Sequence, residues 1–209
     1  MATVLYIKAN PKPNMSRTLM ISDSFINSYK KTYPNDNIIT LDLYKENINF
    51  LTAQDINVIL VPRNSESKNH PILKYAYQFL EADKYVIAAP FWNLGIPAIL
   101  KAYIDYICVT GITFKYTEDG SVGLCNGKKA IHIVSRGGEY SKGPFAAYEM
   151  GDRYLRAIFG FLGITDFTTI VAERLDMGED VDVIVQRAIN EARAKVDNFG
   201  ARAREGSLV

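Results

Sequence analysis

A chain of 209 residues can bury a substantial core, and it is expected to form one domain over residues 1–209. With 48% apolar and 22% charged residues, it has the composition of a soluble globular protein rather than a disordered or fibrous one. A net charge of +1 gives no general field to gather nucleic acid or an anionic membrane, and no recognition motif accompanies local basic groups such as Lys128-Lys129 or Arg202 and Arg204.

Val4-Leu5-Tyr6-Ile7-Lys8 reads as the first strand, and the loop from Ala9 to Thr18 follows it. Leu19, Phe25, Ile26 and Tyr29 then fall at helical spacing, with Ser16 or Thr18 as N-cap and Pro34 just past the end. Asn37 to Leu43 reads as the second strand. The stretch from Thr52 to Ser67 is ambiguous: Val58-Ile59-Leu60-Val61 is apolar, whereas Pro62-Arg63-Asn64-Ser65 looks like loop. A helix from about Pro71 to Glu81 leads into the third strand, Tyr85-Val86-Ile87-Ala88-Ala89, and the next helix runs from Ile96 to about Val109. Gly111 to Gly120 suits a small hairpin turning at Glu118-Asp119-Gly120. The fourth strand is Ala130 to Val134, followed by a helix around Tyr148 to Phe161, a fifth strand from Phe167 to Val171, and a final helix from about Asp180 to Arg204. Alternating strands and helices with short connections predict a layered α/β domain with a parallel sheet.

Cys108 and Cys125 have no CxxC or metal-ligand spacing and read as reduced, packed thiols. His70 and His132 are too few for a metal site, and His132, between Ile131 and Ile133, reads as a strand residue, so no metal is expected. No charged n-region with an apolar h-region precedes the first strand, and no apolar run reaches about 18 residues. A cytoplasmic protein without membrane attachment is expected.

Parallel strands would bring three loops to one sheet edge, where open α/β sheets bind ligands. The first carries Asn10 and Ser16-Arg17-Thr18 at a helix start, where free N–H groups, hydroxyls and Arg17 suit a phosphate; the alternative is plain N-capping by Ser16. The second is Pro90-Phe91-Trp92-Asn93, a flat apolar surface with one amide, suited to a heteroaromatic ring such as a flavin; the alternative is that the aromatics plug the core. The third is Ser135-Arg136-Gly137-Gly138, where the glycines allow close approach of backbone N–H groups to a planar ligand; the alternative is an ordinary turn. Neither GxGxxG nor GxxxxGK[ST] occurs, so a mononucleotide is the better expectation.

The Ser16-Arg17-Thr18 loop, Pro90 to Pro97 with Leu100 to Asp105, Gly111 to Tyr116, Lys128 to Gly138 and Phe159 to Ile164 together resemble the FMN-dependent NADH-azoreductases, also called FMN-dependent NADH:quinone oxidoreductases. The resemblance covers nearly the whole chain in order. It implies a flavodoxin-like three-layer α/β/α sandwich with a five-stranded parallel sheet of order 2-1-3-4-5, a homodimer with the active site at its interface, and one non-covalent FMN per chain. It also implies ping-pong two-electron transfer from NADH or NADPH to quinones and azo compounds, with no catalytic side chain beyond the cofactor. Carried over by motif, Asn10, Ser16, Arg17 and Thr18 should meet the FMN phosphate region; Phe91, Trp92, Asn93 and Leu94 the isoalloxazine; and Ser135, Arg136, Gly137 and Gly138 its pyrimidine side. Asn10 and Arg17 stand where family members often have Ser and Gln, and Trp92 where Tyr is common. Tyr116, Phe159 and Phe161 are candidates to cover the ring in the substrate pocket, with core packing as the alternative for at least one phenylalanine. The competing functions are a flavodoxin-type electron carrier, against which the missing acidic excess argues, and a flavin-binding regulatory protein. A phosphoacceptor domain would need acidic residues where Lys8-Ala9-Asn10 stands.

Overall fold

The computed structural model describes residues 1–46, 48–60 and 67–201. Its framework is a five-stranded parallel sheet of β1 (Thr3–Lys8), β2 (Asn37–Asp42), β3 (Lys84–Ala88), β6 (Lys129–Ser135) and β7 (Asp166–Ala172), in the order β2-β1-β3-β6-β7. The two remaining strands, β4 (Phe114–Thr117) and β5 (Gly120–Gly123), form a separate antiparallel hairpin turning at Glu118-Asp119. Counting only the strands of the main sheet, the order is the expected 2-1-3-4-5.

Alternation along each strand divides the core between two helical layers. Val4, Tyr6, Val86, Ala88, Ile131 and Ile133 face α1 (Arg17–Thr32), α6 (Val181–Ala194) and α7 (Val196–Gly200). Leu5, Ile7, Tyr85, Ile87 and Ala130 face α3 (Lys74–Glu81), α4 (Ala98–Ile107) and α5 (Gly151–Phe161). Because the inner strands are covered on both sides, they read as nearly continuous apolar runs, which is why sequence located them well.

The ambiguous stretch after Thr52 contains α2 (Ala53–Leu60), whereas the loop expected at Pro62 to Ser65 lies outside the described residues. Three helix starts move later than expected, the first being α3, which begins at Lys74 rather than about Pro71. The helix after the aromatic loop begins at Ala98, with Pro97 as its cap residue, and α5 begins at Gly151. The final helix is not continuous: Asp180 caps α6 by accepting from Asp182 N–H at 2.9 Å, and the chain breaks at Lys195 before α7. The expected continuation to Arg204, with Arg202, lies outside the described residues.

Phe159 requires a correction. It is 2% exposed and lies edge-on to Phe79, Tyr85 and Phe167 at 5.5–5.8 Å, so it is a core residue with no face to offer a substrate. Phe161, two positions along the same helix, points elsewhere and meets Phe114 at 4.8 Å, and Phe114 in turn meets the 70% exposed Tyr116. Replacing a buried aromatic by Ala costs about 3–5 kcal/mol. Phe159→Ala should therefore lose about that much stability in urea titration while keeping its ligand affinity at low temperature. Loss of ligand affinity with unchanged stability would return Phe159 to the pocket.

Candidate cofactor site

Hydrogen bonds continue past the strand ends and lay the loops side by side. Ala9 N–H reaches Ala88 O at 2.9 Å, Ala89 N–H reaches Ile133 O at 3.2 Å, Phe91 N–H reaches Ser135 O at 3.1 Å, and Arg136 N–H reaches Ala172 O at 2.8 Å. Around the second and third loops lies a cleft of about 340 Å³ lined by Phe91, Asn93, Leu94, Gly137, Gly138, Tyr140, Asp176 and Met177. A larger cavity, about 590 Å³, opens at the opposite, amino-terminal edge beside Lys84 and Lys129. Its lysines are already engaged: Lys84 donates to Tyr29 Oη and Gly200 O, and Lys129 to Asn198 O. The cleft among the loops is where chemistry-bearing groups converge.

In the first loop the hydroxyls act mainly as struts. Ser16 Oγ accepts from Leu19 N–H at 3.1 Å, as expected of an N-cap, and from Asn10 Nδ2 at 2.9 Å. Thr18 is fully buried and shares a 2.6 Å hydrogen bond with Ser135 Oγ, tying this loop to the third. The expectation that the Thr18 hydroxyl faces a phosphate is therefore corrected to a bridging role. The groups left for an anion are the first-turn N–H groups of Arg17 and Thr18, which have no intrahelical acceptor, the Ser16 hydroxyl proton, and the half-exposed Arg17 guanidinium. Arg17 lies 3.9 Å from Asp176, a loose exposed pairing that an anion can replace.

The second loop makes a tight turn in which Trp92 and Gly95 exchange both backbone hydrogen bonds, at 3.0 and 2.9 Å. Its two central residues, Asn93 (φ 49°) and Leu94 (φ 66°), are left-handed. Such a turn favours Asn and Gly; a leucine there stores strain of about 1–2 kcal/mol. The conformation keeps Trp92 and Leu94, each 41% exposed, on the surface rather than in the core. Phe91 sits lower, 4.7 Å from the Tyr140 ring.

In the third loop the carbonyls of Gly137 and Gly138 accept from Asp176 and Arg174 N–H at 2.9 and 3.1 Å, while their own N–H groups have no partner among the described residues. A Cβ on Gly137 would collide with the Asp176 carboxylate, and one on Gly138 would press on the Tyr140 ring at 3.0 Å. Arg136 departs from expectation. It is 3% exposed, its Nη2 pairs with Glu149 at 3.0 Å, its Nη1 lies 3.6 Å from Glu173, and its guanidinium lies over the Phe91 ring at 5.4 Å. Its side chain braces the site from behind. None of Tyr116, Phe159 and Phe161 lines the cleft.

Tyr140, Asp176 and Met177 line the cleft but escaped sequence reasoning; the last two arrive on the connection between β7 and α6. A further network lies behind the site. Buried His132 Nδ1 meets Asp152 Oδ1 at 2.9 Å, and Asp152 also accepts from Thr169 and Arg156. Burial alone pushes the Asp152 carboxyl up, but the bond and charge of His132, with the bonds from Thr169 and Arg156, together hold it well below the usual carboxylate range.

Leu94→Gly should remove the turn strain, leaving stability unchanged or up to about 1 kcal/mol higher, while stripping an apolar contact from the cleft. Thermal melts and ligand titration check both halves. A clear loss of stability would show that Leu94 is a packing residue.

Residues 2–196 match the family described as having a flavodoxin-like fold. The FMN-dependent NADH:quinone oxidoreductase 2 of Clostridium acetobutylicum is 70% identical over 201 residues, spanning 95% of this chain and all of that protein. The FMN-dependent NADH:quinone oxidoreductase of Caldicellulosiruptor saccharolyticus is 64% identical over the same shares. Among solved structures, an azoreductase from Bacillus anthracis superposes with a TM-score of 0.86 at 38% identity, over 95% of this chain and 100% of that one. An FMN-dependent NADH-azoreductase from the same species, in complex with FMN, gives 0.87 at 29% identity, over 96% of this chain and 100% of that one. With its sheet order, its strand-end cleft and relatives of this similarity over nearly its whole length, the chain belongs to the flavodoxin-like family of FMN-dependent NADH:quinone oxidoreductases.

Proposed function

We propose that this protein is a single-domain FMN-dependent oxidoreductase that passes two electrons from NADH or NADPH to quinones and reductively cleaves aromatic azo compounds. The observation that carries this is the cleft itself, where Phe91 and the exposed Asn93-Leu94 turn share the lining with Gly137 and Gly138, whose N–H groups have no partner among the described residues. FMN, when bound, supplies the hydride chemistry, with donor and acceptor using the same place in alternation.

The residues supply binding, orientation and electrostatics. Arg17, the Ser16 hydroxyl and the first-turn N–H groups of α1 hold the phosphate, with Asn10 fixing Ser16 and Thr18 fixing Ser135. Phe91, Trp92 and Leu94 present apolar surface to the ring, and Asn93 offers an amide that can donate and accept at its edge. The N–H groups of Gly137 and Gly138 would serve the pyrimidine side, where donors favour negative charge. Tyr140 and Asp176 line the cleft but share no hydrogen bond among the described residues, so water is assigned the protons of the reduced acceptor.

We assign a homodimer whose interface completes each site. Trp92, Leu94, Phe145, Tyr148, Met150 and Met177 expose apolar surface on the loops at and beside the cleft, and two-fold assembly is the commonest way to cover such surface. Tyr116 and Phe161, remote from the cleft of their own chain, are candidates to cover that of the partner.

Heat-released cofactor should run with FMN standards at one per chain, and recovery of FAD alone would overturn the mononucleotide assignment. Initial rates at several NADH concentrations should give parallel lines; intersecting lines would mean a ternary complex. Asn93→Ala should weaken FMN binding or slow its reduction without loss of fold, because it removes an exposed amide and no packing. Sedimentation should give about twice the 23.4 kDa chain mass, and a fully active monomer would exclude a shared site.

A further inference from the structure

The entry to α5 grips the aromatic turn at three points. Met150 N–H donates to Leu94 O at 3.0 Å, which holds the carbonyl of the left-handed leucine. Gly151 lies so close beneath the turn that a Cβ there would stand 3.2 Å from Phe91 Cδ2 and 3.4 Å from the Gly95 carbonyl carbon. Glu149, buried, pairs with Arg136 at 3.0 Å, and the Arg136 guanidinium lies over the Phe91 ring.

Glu149 is unusual in what it satisfies at once. Its Oε1 accepts from Gly151 N–H at 3.1 Å and Asp152 N–H at 2.8 Å, and its Oε2 from Arg153 N–H at 3.2 Å. These are first-turn donors of α5 that have no intrahelical acceptor, and the negative charge also complements the helix N-terminus. The same carboxylate is the nearer of two, with Glu173 at 3.6 Å, that neutralise Arg136, which is too buried to carry its charge alone. One side chain therefore fixes both the helix that supports Phe91 from below and the cation that lies on its ring.

We propose that Glu149 is a positioning residue for the cofactor: through Arg136 and the start of α5 it holds Phe91 and the Asn93-Leu94 turn in the one arrangement that receives the flavin ring. This rests on the FMN-binding function proposed above. A charged residue buried against one face of an aromatic, with a helix start against another part of the ring, leaves the ring little freedom to tilt, and a binding surface held this way loses little entropy when a planar ligand settles on it.

Three variants test this by FMN titration, followed through flavin fluorescence, with far-UV circular dichroism and thermal melts as the fold control. Glu149→Gln keeps an acceptor for the helix N–H groups but loses the ion pair, and should weaken FMN binding about tenfold. Arg136→Lys keeps the charge but loses the planar group over Phe91, and should show a defect of the same order. The double variant should be no worse than the worse single variant, since both act on one chain of contacts; multiplied defects would mean that Glu149 is only a helix cap. Gly151→Ala adds a methyl 3.2 Å from Phe91 Cδ2 and 3.3 Å from Glu149 Oε1, so it should weaken FMN binding while circular dichroism shows the fold kept. Wild-type affinity in Glu149→Gln or in Gly151→Ala would overturn the positioning role and leave the function intact. Failure of the unaltered chain to bind FMN would overturn the function, and this inference with it.

Discussion

The site depends on a constraint of hydrogen-bond geometry. Parallel strands in register end together, and each inner strand keeps bonding to its neighbour for one to three residues beyond its last ladder pair. From Ala9 to Ala88, from Ala89 and Phe91 to Ile133 and Ser135, and from Arg136 to Ala172, four steps stitch the departing loops edge to edge. Loops tethered at their roots have few conformations to lose when a ligand arrives, and they can hold strained backbone that free loops would relax.

That rigidity is spent on the turn between Trp92 and Gly95. A leucine in left-handed geometry is unfavourable alone, yet four contacts oppose its relaxation: the paired Trp92–Gly95 bonds, the Met150 bond to Leu94 O, and the packing of Gly151 against Phe91. Behind it, the buried Arg136–Glu149 pair is poor evidence of stability, since desolvating two charges offsets most of their attraction. Its value is directional: an ion pair with further hydrogen bonds has one good geometry, whereas an apolar pair of similar volume has several.

Much of this was legible in the sequence, and the failures have physical causes. The inner strands stood out as apolar runs because two helical layers cover them, and the three loops followed from where those runs end. The structure brings the loops together as a group, but what each side chain does was less legible one by one. Thr18 and Ser16 look like free hydroxyls in a sequence, because what they bond to, Ser135 at 117 positions away and Asn10, is visible only in three dimensions. Phe159 and Phe161 stand two apart in a helix and so face different directions; helical geometry allows one in the core and one outside, and which is which depended on where Phe79 and Tyr85 lay. Glu149 gave no signal, since nothing in Tyr148-Glu149-Met150-Gly151 says that the helix begins late enough for this carboxylate to cap it.

Arg136 shows how the strand pattern reaches into the chemistry. Along β6 the odd residues Ile131 and Ile133 face the α1 layer, and Ser135 continues that face to reach Thr18. The even residues face the α5 layer: His132 meets Asp152, and Arg136, one residue past the strand, continues that face to reach Glu149. The strand therefore anchors its end on both sides with its last two side chains, one hydroxyl into one layer and one guanidinium into the other. Gly137 and Gly138 are the first residues beyond both anchors. Their carbonyls are taken by the neighbouring loop and they have no side chains to place, so what remains to face the cleft is backbone N–H. The peptide donors that this edge leaves unpaired among the described residues thus follow from the period-two alternation of the strand below it.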